Sequence, residues 1–247
     1  MNYGIGFMTI AEHILDYAST QKQPFRRREL MQFLDTHNVS EASANVLLNR
    51  IVEQGLLVKK GFGLYALPEK GKHSFIYKPS NDEQTLAKKI QEKFPFIKFC
   101  VWKPSVLIPY MLHIPAIKMM FVDVERVAAE SVFNFLQGNA PVMSLLLNPT
   151  VQECERYITT DKILIVRILV NEAPITIVND TPVPTLEKIL VDVTDDKELY
   201  FTQGAELYTI YNEVFERHNV NRNRLLRYAS RRHRKDTILN IINTIES

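Results

Sequence analysis

The chain has 247 residues, 46% of them apolar, with 30 Lys/Arg against 28 Asp/Glu, which suffices for a substantial core in one large or two smaller domains and excludes a mainly disordered protein. No run approaches the roughly 18 to 20 uninterrupted apolar residues that cross a bilayer, and Glu12, His13 and Asp16 break the N-terminal apolar pattern, so neither a membrane partner nor a signal peptide is expected. The two cysteines, Cys100 and Cys154, fall in separate predicted elements, which suits a reducing compartment and leads to the expectation of a cytoplasmic protein.

Ile10, Ile14, Leu15 and Ala18 repeat with helical spacing, and Pro24 closes that first helix. A second helix is expected from about Phe25 to His37-Asn38, with Leu30, Phe33 and Leu34 inward and Arg26, Arg27 and Arg28 toward water. Ser40 is a good N-cap for a third, whose Ala44, Leu47, Leu48 and Ile51 form one apolar stripe ending at Gly55. The period then changes to that of a hairpin, residues 56–60 and 64–67 around a Gly61-Phe62-Gly63 turn. Three helices and a hairpin over residues 1–68 give a winged helix-turn-helix. In that architecture the third helix enters the major groove of double-stranded operator DNA. Its solvent face would present Glu41, Ser43, Asn45, Asn49 and Arg50, with Asn suited to adenine and Arg to guanine edges, Lys59 and Lys60 to phosphates, and Arg26, Arg27 and Arg28 also expected to bind DNA. The competing reading is a winged helix used only for protein contacts, because the charge over residues 1–78 is only +3.

Residues 69–82 read as a linker or as a short connecting strand around Phe75-Ile76-Tyr77. From 83 to 247 the pattern is α/β: a helix over 83–93, strands over 96–102, 117–124, 142–147, 163–170 and 175–178, and a helix over 127–136. Several strands are apolar almost throughout, as strands covered on both faces are, so a mixed sheet with packed helices is expected. From Pro184 onward only helices are expected, over 184–193, 196–217, 220–230 and 233–245. The fold class is thus α/β (α+β), a winged helix-turn-helix followed by a mixed-sheet domain with a helical tail.

The phrases Phe25-Arg26-Arg27-Arg28-Glu29-Leu30, Leu47-Leu48 through Gly55-Leu56-Leu57-Val58, and Gly63-Leu64-Tyr65-Ala66-Leu67 resemble the winged helix that opens AbiEi-type antitoxins of bacterial type IV toxin-antitoxin (abortive infection) systems. Pro184-Thr185-Leu186-Glu187-Lys188-Ile189-Leu190-Val191-Asp192 resembles that family's Pro-Glu-Arg-Thr-Leu-Val-Asp segment, with Lys188 and Ile189 in place of the usual Arg and Thr. Residues 102–110, with Ser105 and Leu107, resemble its Ser-Ala-Leu helix more loosely. The resemblance implies a DNA-binding transcriptional autorepressor encoded beside a nucleotidyltransferase toxin, whose C-terminal domain counters that toxin without necessarily forming a stable complex. It marks Glu187, Lys188, Leu190 and Asp192 as family-motif residues. The runner-up is a winged-helix regulator without a toxin partner, whose α/β domain senses a ligand or mediates assembly.

The enzyme readings find little support. A nucleotidyltransferase needs a Gly-Ser turn beside paired carboxylates, and the chain has no Gly-Ser dipeptide. Asp123 and Glu125 form a D-x-E pair of the kind that binds metal in nucleases, but the only D-x-K, Asp195-Asp196-Lys197, falls between predicted helices. An exposed strand end running into a helix start that favours acids explains that pair adequately. No phosphate-loop, nucleophile-elbow or H-E-x-x-H motif occurs, and neither His113 nor His233 has a partner at metal spacing, so no cofactor, metal or catalytic residue is assigned.

The near-neutral total hides a partition: −7 over residues 79–216 and +6 over 217–247. Arg224, Arg227, Arg231 and Arg234 recur at steps of three and four, with Arg222, Arg232 and Lys235 nearby, in a span from Arg217 to Lys235 that holds no acid. Two readings stand: a second polyanion surface, or internal pairing with the acids of the middle segment.

Overall fold

Thr9 opens the first helix, α1 (Ile10–Thr20), through a reciprocal cap. Its backbone N–H donates to Glu12 Oε2 at 2.6 Å, and its hydroxyl accepts from the Glu12 N–H at 3.3 Å. The computed structural model describes residues 9–53, 55–68, 71–116, 118–139, 144–158, 162–194 and 196–247. They fall into two units, Met1–Phe75 with Glu216–Asn223, and Ile76–Phe215 with Arg224–Ser247.

In the first unit α1 is followed by β1 (Phe25–Arg26), α2 (Arg27–Asp35), α3 (Glu41–Glu53), β2 (Val58–Gly61) and β3 (Leu64–Ala66). The strands form an antiparallel sheet in the order β1-β3-β2. The second helix therefore begins at Arg27. Phe25 and Arg26 instead pair with Tyr65 and Leu64, because Phe25 buries its ring by extending toward β3 after Pro24. Ile14, Ala18, Leu30, Leu34, Ala44, Leu48, Ile51 and Leu57 fill the core between the helices. Gly55 ends α3 in the left-handed region at φ 75°, and a Cβ there would fall 2.4 Å from Ser74 Oγ.

The expected boundary at residue 68 is moved by the same chemistry. Glu69 and Lys70 of the expected linker lie outside the described residues, but His73 donates its N–H to the Arg217 carbonyl at 2.9 Å and accepts from Asn219 N at 3.1 Å. Phe75 meets the His218 ring edge-on at 5.6 Å. These bonds tie residues 73–75 into the first unit. No strand forms at Phe75-Ile76-Tyr77.

The second unit runs α4 (Asn81–Lys93), β4 (Phe99–Trp102), a 3-10 turn Pro104–Tyr110, β5 (Lys118–Val124), a 3-10 turn Arg126–Ala128, α5 (Ala129–Asn139), β6 (Ser144–Leu147), α6 (Val151–Tyr157) and β7 (Lys162–Ile168). It continues with the hairpin β8 (Ile175–Val178) and β9 (Thr181–Pro184), α7 (Leu186–Val193), a 3-10 turn Lys197–Thr202, α8 (Ala205–Arg217), α9 (Arg222–Arg231) and α10 (Lys235–Glu246). Ile117, Val142 and Met143 of the expected strands lie outside the described residues. The sheet order is β4-β5-β7-β6, with β4 antiparallel to β5 and the other pairs parallel, a mixed sheet in an α/β chain.

Two expectations for this unit change. Residues 181–184 form β9 because Asn179 and Asp180 both adopt positive φ, 49° and 58°, and turn the chain back on β8. The helix expected over 196–217 breaks before Ala205, where Gly204 takes φ 67°. Helix α6 lies between two of the expected strands, in a stretch to which the sequence assigns no element of its own.

The sheet has two unlike faces, set by the period-two alternation of its strands. Val101, Met120, Val122, Val124, Leu164 and Val166 pack with Ile90, Val132 and Leu136 into an apolar core. The alternate positions carry Cys100, Trp102, Phe121, Asp123, Ile165 and Arg167, also buried, so this face ends in two charges.

Candidate functional site

In the first unit the inner side of α3 is fixed by Ala44, Leu48 and Ile51, which leaves Ser43, Asn49 and Arg50 exposed on its outer side. Arg26, Arg28, Lys59 and Lys60 are also exposed, and Phe62 at the hairpin tip is fully so. Two of the expected DNA contacts are engaged internally. Arg27 donates to Asn45 Oδ1 from Nε at 2.9 Å and from Nη2 at 2.7 Å, and pairs with Glu41 at 2.6 Å. These bonds lock the start of α2 to the first turns of α3, so Arg27 and Asn45 hold the outer face in place. The Lys60 carbonyl accepts from Asn223 Nδ2 at 3.3 Å, which anchors the hairpin.

In the second unit the structure gathers a group that the sequence reading had left scattered. Asp123 on β5 and Arg167 on β7 are register partners, with Nε to Oδ1 at 2.7 Å. All eight residues of α7 are buried, and Lys188 and Asp192, one turn apart, face the same charges. Lys188 Nζ donates to Asp123 Oδ2 and to Asp192 Oδ2, both at 2.6 Å. Trp102 Nε1 donates to Asp123 Oδ2 at 2.9 Å, and Tyr228 OH to Asp192 Oδ1 at 3.0 Å. Arg167 Nη1 donates to Asp196 Oδ2 at 2.9 Å and lies 3.7 Å from Glu198, while Arg232 donates to Asp196 Oδ1. The Arg167 guanidinium also stacks on Phe121, 3.8 Å from the ring centroid.

This arrangement corrects the reading of Asp123 as an exposed strand end. Asp123 is 2% exposed and both its oxygens are held by cations, whereas Glu125 lies past the strand end and accepts from the Lys98 N–H at 3.3 Å. The two acids do not share a site. Asp195 of the D-x-K lies outside the described residues, and Asp196 and Lys197 part company, the first buried and the second exposed. No group of three or more His, Cys, Asp or Glu among the described residues is placed to hold a metal ion. His113 Nδ1 meets Glu206 at 3.0 Å.

Burial pushes the Asp123 carboxyl up, but Arg167 and Lys188 more than offset this and hold it below the usual carboxylate range. The same attractions, against burial, hold Lys188 and Arg167 firmly protonated. Burial raises the Tyr228 phenol and the Cys100 thiol, and pushes the Cys154 thiol up to about 11. Asp196 behaves differently: burial and the neighbouring Asp192 push it up to about 7 despite Arg167 and Arg232. The cluster thus holds fixed charges, keeps its nucleophile types protonated, and carries one carboxyl that titrates near neutrality.

The tail arginines divide. Helix α9 ends at Arg231 and His233 takes φ 56°, so Arg234 is off the helix and no single stripe runs from Arg224 to Arg234. Arg224 lies 3.4 Å from buried Glu187, Arg231 pairs with Glu172, and Arg232 belongs to the cluster. Arg222, Arg227 and Lys235 are exposed. Of the family-motif residues, Lys188 and Asp192 are inside the cluster, Glu187 meets Arg224, and Leu190 is packed in the core. Sequence reasoning missed Arg167, Glu198 and Tyr228. The available signal was a lone charge inside an otherwise apolar strand, Phe121-Val122-Asp123-Val124 and Ile165-Val166-Arg167-Ile168.

Residues 43–247 match a family described as a family of unknown function, DUF6577, and the chain belongs to that family. The match begins within α3 and covers the hairpin and all of the second unit's elements. No curated protein matches the chain.

Proposed function

We propose that this chain is a cytoplasmic, DNA-binding transcriptional regulator that reads its operator with α3 of a winged helix-turn-helix, and that its α/β unit serves as the antitoxin domain of an AbiEi-type system. The observation that carries the reading is the outer side of α3, where Ser43, Asn49 and Arg50 stand exposed on a helix whose opposite side is fully packed. Asn pairs with adenine edges and Arg with guanine edges in the major groove, and exposed Lys59 on the hairpin suits the adjacent phosphates. The two cysteines are free and buried, in keeping with a reducing compartment.

Footprinting the full chain on its own promoter tests DNA binding. A protected repeat is the expected result, and no protection at physiological salt overturns it. For the antitoxin role, co-expression with a nucleotidyltransferase encoded beside the chain is expected to restore growth, and unrelieved toxicity removes that part. The cavity beside the buried charges favours a second reading, a regulator whose α/β unit senses a ligand.

A further inference from the structure

An open cavity of about 270 Å³ lies at the carboxyl ends of the parallel strands β5, β6 and β7, beside the buried charges. In open α/β sheets this edge is where ligands bind, because the loops leaving the strands diverge there. The volume suits a small molecule and is too small for a polymer segment.

We propose that this cavity is a binding site for a small phosphate monoester. The inner charges answer one another: Asp123 and Asp192 are taken up by Lys188 and by Arg167. Toward the opening the balance changes. Arg232 uses one nitrogen on Asp196, and its Nε and Nη1 meet no partner among the described residues. Lys197 is exposed and has no ion pair within 4.0 Å among the described residues. Asn148 spends its side-chain oxygen on the Ile168 N–H at 3.0 Å, and its amide N–H group meets no partner among the described residues. All three line the cavity, and all three offer donors. A guanidinium edge, an ammonium and an amide together match three oxygens of a phosphate better than the two of a carboxylate.

The backbone that carries Arg232 is built rather than loose. Arg234 N–H donates to the Ala229 carbonyl at 2.8 Å and His233 N–H to that of Ser230 at 3.1 Å, closing α9 with His233 at φ 56°. Deeper in, Glu198 has one ion pair among the described residues, the 3.7 Å approach of Arg167, and its remaining acceptor capacity suits a hydroxyl of the esterified molecule. Asp196 adds a second measurable feature. Its carboxyl is pushed up to about 7, and a dianion beside it favours the protonated form further, so binding draws a proton from solution.

The site does not rest on DNA binding by the first unit. The test is calorimetric titration of the full chain, slightly above neutral pH, with inorganic phosphate, ribose 5-phosphate, ribose and malonate. Ribose 5-phosphate is expected to saturate, more tightly than phosphate alone, with ribose silent and malonate weak. Repeating the titration in buffers of different ionisation enthalpy is expected to show proton uptake that disappears in Asp196→Asn. Lys197→Ala, an exposed change that spares the fold, is expected to weaken binding about fivefold or more. Arg232→Gln, checked as folded by its thermal transition, is expected to weaken it further, and Lys22→Ala, an exposed lysine of the other unit, to leave it unchanged. No saturation at millimolar ligand, or equal binding by Lys197→Ala, overturns the proposal. Malonate binding as tightly as the ester overturns the choice of phosphate, and phosphate binding as tightly as its ester overturns the choice of a monoester.

Discussion

Asp123 and Arg167 stand opposite each other on adjacent parallel strands, and the Arg167 Nε–H donates to Asp123 Oδ1 at 2.7 Å with both side chains almost fully buried. Removing one member of such a pair leaves the other charge without compensation in the interior, a loss of about 3–5 kcal/mol. Each change reaches beyond the pair, since Asp123→Ala strips a partner from Lys188 and Arg167→Met strips one from Asp192 and Asp196. Urea unfolding of Asp123→Ala, Arg167→Met and the double variant is expected to give a double-mutant coupling of about 1–3 kcal/mol. Additive losses would show that the two charges are stabilised independently.

Asp196 faces Asp192 and Glu198 as well as Arg167 and Arg232, and its carboxyl is pushed up from 3.8 to about 7. The folded form therefore holds this proton more tightly than the unfolded chain does. Its contribution is fully present below about pH 4 and is lost as pH rises through 7. Asp123, held below the usual carboxylate range, acts with the opposite sign, and its contribution is lost as pH falls beneath that range. Unfolding free energy measured across pH is expected to decline from about pH 4 to 7 by a few kcal/mol more in the native sequence than in Asp196→Asn. Parallel profiles for the two proteins would place the titrating group elsewhere.

What the sequence disclosed and what it hid follow from how local each signal is. The stripe Ala44, Leu48, Ile51 and the glycine at 55 are read within one helix, and α3 forms where they place it. The almost wholly apolar strands likewise announce a sheet covered on both faces. The buried cluster is non-local. Asp123, Arg167, Lys188 and Asp196 are drawn together by strand order and by the packing of α7, neither of which appears in any window of the sequence. Arg232 looked like one of a series of surface arginines because its partner, Asp196, lies 36 positions earlier. The hairpin is hidden for a different reason: Pro182 and Pro184 weigh against a strand, and the positive φ of Asn179 and Asp180 that turns the chain is a property of the folded backbone.

For the tail, internal pairing changes what mutation should do to DNA binding. Arg224 and Arg231 already meet Glu187 and Glu172, whereas Arg227 is exposed and pairs with no acid among the described residues. The Arg224→Ala, Arg227→Ala, Arg231→Ala triple variant is expected to shift the salt slope of duplex binding by no more than about 0.9, the value for one phosphate, rather than three times that. Fluorescence anisotropy over a salt series measures it. A shift near the larger value would mean that the pairs open to meet DNA.

The bonds of Arg27 separate two asparagines that look equivalent in the sequence. Asn45 accepts two hydrogen bonds from Arg27, while Asn49, one turn later, is exposed. An asparagine held by a guanidinium has little of its oxygen left for an adenine edge, so Asn45→Ala should act through the stability of the first unit and weaken operator and scrambled duplexes alike. Asn49→Ala and Arg50→Ala should cost about 1–3 kcal/mol on the operator alone, and Lys59→Ala should weaken every duplex to the same degree. Anisotropy titrations on matched operator and scrambled duplexes, with thermal unfolding of each variant alongside, distinguish these effects. If Asn45→Ala relaxes specificity as far as Asn49→Ala does, Arg27 must release Asn45 on binding, and the lock between α2 and α3 becomes part of recognition itself.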